Sequence, residues 1–142
     1  MALDRDRRLE LLGRTPLFAT CDPASLEPVS DRVIEVAFGT GQVIARQGDV
    51  GTGFFVIISG SARVVRDGVA IATLGPGEFF GELSVLDGLP RTAQVTAIEP
   101  TECLALATWD FEALIQEQPG IALSVMRGLA SRLRGVTEAG RH

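Results

Sequence analysis

Between Val33 and Ala107 the chain is cut into short apolar or alternating runs, at 33–38, 42–45, 53–59, 61–66, 69–74, 91–97 and 102–107, separated by turns, most of them glycine-containing. Strands this short, punctuated every several residues, pair as an antiparallel sandwich or barrel. Arg66-Asp67-Gly68-Val69 is the clearest hairpin, because Asp-Gly accepts the positive φ of a two-residue turn. Gly75-Pro76-Gly77 forbids regular structure ahead of Phe79, so residues 79–93 are expected to leave the sheet as an excursion. The economical closure is an antiparallel jelly-roll β-barrel, a double-stranded β-helix, which leaves few strand edges open.

Helical signals flank the strands. Leu3, Leu9, Leu11 and Leu12 among charges predict an amphipathic helix over 3–12, ended by Gly13. Asp22 is the predicted cap of a second helix, with Pro23 at its first position and Pro28 confining its regular part, running to about Asp31. Beyond the strands, Thr108 is expected to cap a helix that Gln118-Pro119-Gly120 interrupts, with Trp109 as an anchor at the barrel's edge. A last helix from Ile121 to about Val136 has Ala122, Val125, Met126, Leu129, Ala130 and Leu133 on one face. Gly128 and Gly135 each weaken it by about 1 kcal/mol relative to Ala, which predicts an easily released element. The expected organisation is one domain over 1–142: N-terminal helices at 1–32, the barrel at 33–108, and C-terminal lid helices at 109–138.

A chain of 142 residues can bury about 70% of its unfolded surface in one core, with no need of a disulfide or metal. The net charge of -5 argues against a general nucleic-acid binder. All 13 basic side chains are Arg, which removes Schiff-base chemistry and a Walker lysine. The one histidine is His142 at the terminus, so Ser59, Ser61 and Ser84 have no imidazole base and a catalytic metal cluster has no ligands. An enzyme is therefore not expected. Cys21 and Cys103 lack metal-ligand spacing and read as small buried hydrophobes in a reducing compartment. With a charged N-terminus and no run of bilayer-spanning length, the expectation is a soluble cytoplasmic protein with no membrane partner.

Residues 79–93 concentrate the features an anion pocket needs. Gly81 lets backbone approach a ligand, a helix start after it offers the unpaired amides of Leu83 and Ser84, Glu82 adds a carboxylate, and Arg91 adds a planar fork of donors.

Phe80-Gly81-Glu82-Leu83-Ser84 followed by Pro90-Arg91-Thr92-Ala93 resembles the phosphate-binding cassette of the cyclic nucleotide-binding domain family. That family includes bacterial catabolite activator, protein kinase A regulatory subunits and nucleotide-gated channels. The likeness extends through Gly41-Gln42-Val43-Ile44, Gln47-Gly48-Asp49, Phe54–Gly60 and Leu74–Phe80, from about residue 16 to the final helix. It implies that Arg91 pairs with the exocyclic phosphate oxygens, that the Leu83 and Ser84 amides and the Ser84 hydroxyl join it, and that Glu82 accepts from the ribose 2'-hydroxyl. Gly81, Glu82, Arg91 and Ala93 match position by position. The Thr92 hydroxyl could meet the 2-amino group of a syn guanine, but family members with Ser or Thr there also select cyclic AMP, which is taken as the ligand ahead of cyclic GMP. No other cofactor is implied.

By the same resemblance Leu129, Leu133 and Val136 would cover the base, with Arg132 or Arg134 stacked on it or bonded to its edge. An equal reading packs them on the barrel or a second subunit. Val64, Val65, Ile71 and Leu83 are candidate pocket walls. Ligand would act by drawing the cassette inward and closing the C-terminal helices. Catabolite-activator relatives carry a helix-turn-helix after the last helix; this chain stops at His142, so no direct DNA binding is expected, and Met1 and the 139–142 tail suggest a complete small protein. Output would pass to an effector protein in trans or to a homodimer through the final helix. The competing reading is a degenerate domain used only as a protein docking module.

Overall fold

The computed structural model describes residues 3–51, 53–81 and 86–138, the last three without their side chains. Ten of its elements come first in chain order: α1 (Arg5–Arg14), α2 (Pro23–Arg32), β1 (Ile34–Phe38), β2 (Val43–Ala45), β3 (Gly53–Ser59), β4 (Ala62–Arg66), β5 (Val69–Leu74), β6 (Phe79–Phe80), β7 (Gln94–Ala97) and β8 (Thr101–Ala107). Helices α3 (Thr108–Glu117) and α4 (Pro119–Glu138) follow. The chain forms two compact units, one of residues 1–32 with 112–142 and one of residues 33–111.

The second unit is the jelly roll. Its two four-stranded antiparallel sheets have the orders β1-β8-β3-β6 and β2-β7-β4-β5. Both sheets contribute to one core, in which Ala45, Ala62 and Val95 meet Ile57, Phe80 and Cys103, with Val36, Phe38, Phe55, Val64 and Leu74 packed around them. Phe111, just past the last strand, sets its ring edge-on to Phe54 at 5.2 Å. The Asp67-Gly68 turn takes the predicted form, with φ of 51° and 80°, and Gln47 holds Asp67 at both its amide and its carboxylate.

The strand expectations need two adjustments. The run expected at 91–97 pairs as a strand only from Gln94, because Pro90 and Arg91 pair instead with the segment at 48–50. The excursion expected from Phe79 begins two residues later: Phe79 and Phe80 form β6, paired with Val56 and Phe55. That short strand carries the chain to Gly81.

In the helical unit α1 starts at an Asp4 cap, whose carboxylate accepts from the Arg7 amide at 2.8 Å. Gly13 does not end it. The helix runs on to Arg14, which pairs with Glu10 one turn back. Nor does Pro28 limit α2, which continues to Arg32; the carbonyl that loses a donor belongs to exposed Ala24, where water can serve. The expected interruption falls at Gln118, between α3 and α4; Pro119 and Gly120 already belong to α4, which starts two residues before Ile121, Pro being suited to a first helical position. Only the first half of α4 is embedded, through Ile121, Ser124, Val125 and Gly128; residues 130–135 are exposed. Gly128 is no simple weak point, since a methyl group there would sit 2.5 Å from the Pro16 carbonyl oxygen and 3.0 Å from the Leu17 Cα. Among the described residues no helix is long and apolar enough to cross a membrane.

Candidate anion-binding site

The site is assembled from residues 48–51 and 53, the end of β6 and the residues ahead of β7. Phe80 is buried and stacks on Phe55 with ring centroids 5.1 Å apart, which fixes the main chain entering Gly81. Gly81 has φ of +89°, a conformation L side chains rarely adopt. Opposite, the Arg91 amide donates to the Asp49 carbonyl at 2.8 Å, and the Gly48 amide donates to the Arg91 carbonyl at 2.9 Å. With the Val50–Pro90 bridge these bonds hold the Arg91 main chain outside the regular sheet.

The Arg91 side chain is half-buried and turns into this cluster. Its Nη2 donates to the Gly53 carbonyl at 2.9 Å. A methyl group on Gly81 would lie 2.6 Å from Nη1, and one on Gly51 would lie 2.6 Å from Nη2 and 2.7 Å from Cζ. The guanidinium thus occupies a space that exists because two residues lack Cβ. A permanent cation with several planar donors is held beside a left-handed glycine, a combination suited to a phosphate or carboxylate.

Of the sequence-predicted residues, Gly81 and Arg91 are brought together across ten positions of chain. Glu82, Leu83 and Ser84 lie outside the described residues. Thr92 is exposed and Ala93 half-buried, both in the bend between Arg91 and β7. Val64 packs on the barrel core, Val65 is half-buried, and Ile71 is 49% exposed on the edge strand β5. In α4, Leu129 is half-buried while Arg132, Leu133 and Arg134 are exposed. The side chain of Val136 is outside the description.

Trp109 is not the expected anchor: it is 66% exposed. Cys103 is fully buried, and desolvation pushes its thiol up to about 12; Cys21 is only half-buried, against the expectation, and both are free thiols. Among the described residues no three His, Cys, Asp or Glu side chains cluster as metal ligands. Gly51 and Gly53 join the site without any chemistry of their own to mark them. Their signal was the density of glycine at 48, 51 and 53 directly ahead of an apolar strand, which marks close backbone approach.

The fold is an antiparallel jelly roll that sets an Arg fork beside a positive-φ glycine. The profile of the cyclic nucleotide-binding domain family matches residues 35–118, and the chain belongs to that family. It is 37% identical over 125 residues to a cyclic AMP receptor protein of Thermus thermophilus, covering 84% of this chain and 58% of that one. It is 32% identical over 118 residues to a cAMP-dependent protein kinase regulatory subunit of Blastocladiella emersonii, covering 78% of this chain and 29% of that one. The chain therefore spans little more than half, or less, of these relatives. The crystal structure of the N-terminal domain of a Streptomyces coelicolor transcriptional regulator superposes with a TM-score of 0.76 at 34% identity, covering 91% of this chain and 93% of that one.

Proposed function

We propose that this chain is a cyclic nucleotide sensor, binding cyclic AMP in preference to cyclic GMP. The observation that carries the reading is the Arg91 guanidinium, braced by the Gly53 carbonyl and set between Gly51 and Gly81. A cyclic phosphodiester bears one negative charge, which one guanidinium and nearby main-chain amides can balance. In this reading Gly81, Leu83, Ser84 and Arg91 hold the phosphate, Glu82 accepts from the ribose 2'-hydroxyl, and Thr92 and Ala93 border the base. Two relatives named for cyclic AMP support the choice of ligand.

Residues 1–142 act as one regulatory domain in this proposal, with no reaction of their own and no cofactor beyond the ligand. Ligand shifts the population toward a state in which α4 closes over the base through Leu129, Arg132, Leu133 and Arg134. The exposure of Leu133, 67%, leaves apolar surface for such a contact or for an effector protein or second copy. The net charge of -5 does not favour a DNA duplex, and we assign these residues no DNA or membrane contact. A cytoplasmic site of action agrees with the ligand. Titration calorimetry with cyclic AMP and cyclic GMP tests the proposal. Saturable heat with tighter cyclic AMP binding is expected, and silence from both would turn the assignment to a docking module.

A further inference from the structure

We infer that Gly51 is a positioning residue for Arg91: the position is glycine because the guanidinium lies against its Cα, and any Cβ there would push the guanidinium off the Gly53 carbonyl. Gly51 is buried, yet its φ lies outside the left-handed region, so backbone conformation makes no demand for glycine. The demand comes from contact alone. The three nearest atoms to a methyl group placed on Gly51 all belong to one guanidinium, Nη2 at 2.6 Å, Cζ at 2.7 Å and Nε at 3.0 Å.

The neighbouring glycine is held for a different reason. A methyl group on Gly53 would meet the Leu106 carbonyl oxygen at 2.7 Å, main chain of the adjacent strand that cannot yield without disturbing the sheet. At Gly51 the obstructing atoms are the far end of a side chain, which can move. Its escape is limited on another side by Gly81, where Nη1 is already close. Alanine at 51 should therefore leave the barrel intact and rotate the Arg91 fork out of its bond to Gly53. Bidentate recognition depends on the direction of that fork, so misplacement matters more than distance. The consequence for affinity rests on the proposed role of Arg91 in holding phosphate; the consequence for its placement does not.

The test uses the full chain and has a readout that needs no ligand. In ¹⁵N-labelled protein the Arg91 Nε–Hε resonance is assigned by its disappearance in Arg91→Lys. Gly51→Ala is expected to move that resonance while amide signals of β3, β4 and β8 stay in place; an unmoved resonance would overturn the inference. By calorimetry, Gly51→Ala should weaken cyclic AMP binding at least tenfold, and by less than twofold when added to Arg91→Lys. Equal losses in both backgrounds would also overturn it, because the effect would then bypass the guanidinium. If the unsubstituted chain binds no cyclic nucleotide, the proposed function fails and the resonance alone decides the role of Gly51. If Gly51→Ala does not fold, folding of Gly51→Ala/Arg91→Lys supports the inference, and failure of that double variant overturns it.

Discussion

Arg91→Ala separates what the side chain does for the fold from what it does for an anion. The main-chain bonds of residue 91 to Gly48 and Asp49 do not involve the guanidinium and survive the substitution. In the ligand-free chain the loss includes the hydrogen bond to the Gly53 carbonyl, which contributes about 1 kcal/mol, on a half-buried group whose place water can take. For a domain of this size the loss of that bond alone lowers Tm by about 3 °C. With the ligand bound the same truncation leaves a phosphate without its cation, a loss of about 2 to 5 kcal/mol. That corresponds to roughly a 30-fold to 4,000-fold rise in Kd. Calorimetry with cyclic AMP and a thermal melt of the empty protein measure the two effects independently. Unchanged affinity would refute the phosphate role, and a variant that loses its cooperative melt would make Arg91 a structural residue. Arg91→Lys refines the comparison: it keeps the charge but not the fork, and at least a tenfold loss is expected if planar recognition matters.

The buried thiol supplies a pH prediction. Because Cys103 is raised from 9.0 to about 12 by burial, the folded chain keeps a proton that the unfolded chain releases. The stability this contributes is complete below about pH 9 and is lost as pH climbs toward about 12, so Tm should fall over that window and Cys103→Ala should flatten the fall. A thiol reagent near neutral pH should modify Cys21 in the folded chain and reach Cys103 only after denaturation. Two glycines of α4 should respond oppositely to alanine. Gly135 has nothing within 4 Å of an added methyl group, so Gly135→Ala should raise stability by up to about 1 kcal/mol, whereas Gly128→Ala meets the Pro16 and Leu17 main chain and should cost about 1 to 3 kcal/mol net. Thermal melts decide both signs. Ser124→Ala should destabilise by about 1 to 2 kcal/mol, since its hydroxyl, buried, donates to the Leu17 carbonyl and accepts from Thr20; a melt unchanged by the substitution would show those bonds to be idle.

Features set by near neighbours in the chain were readable before any coordinates. The Asp67-Gly68 hairpin depends on two residues' φ preferences, and the short runs around β3, β4 and β8 depend on local hydrophobic pattern, so both emerge within a residue or two of their expected limits. The errors arise where another partner, one turn away or far along the chain, overrides a residue's own preference. Gly13 looked like a helix stop, yet α1 runs one residue past it to Arg14, which pairs with Glu10 one turn back. Arg91 looked like the first residue of a strand, yet its main chain pairs with Gly48 and Asp49, more than forty positions earlier.

The candidate site divides along the same line. Gly81 and Arg91 were found because their residue types announce a role: a glycine beside a carboxylate, and a cation ahead of a strand. Gly51 announces nothing, because glycine serves three separate needs and the letter does not say which. Gly81 combines positive φ with contact to Nη1, Gly53 makes room for the Leu106 carbonyl, and Gly51 makes room for a side chain forty residues further on. Only packing distinguishes these needs. The distinction predicts what sequence comparison alone would not: substitution at 53 should be felt by the fold, substitution at 51 by the ligand, and substitution at 81 by both.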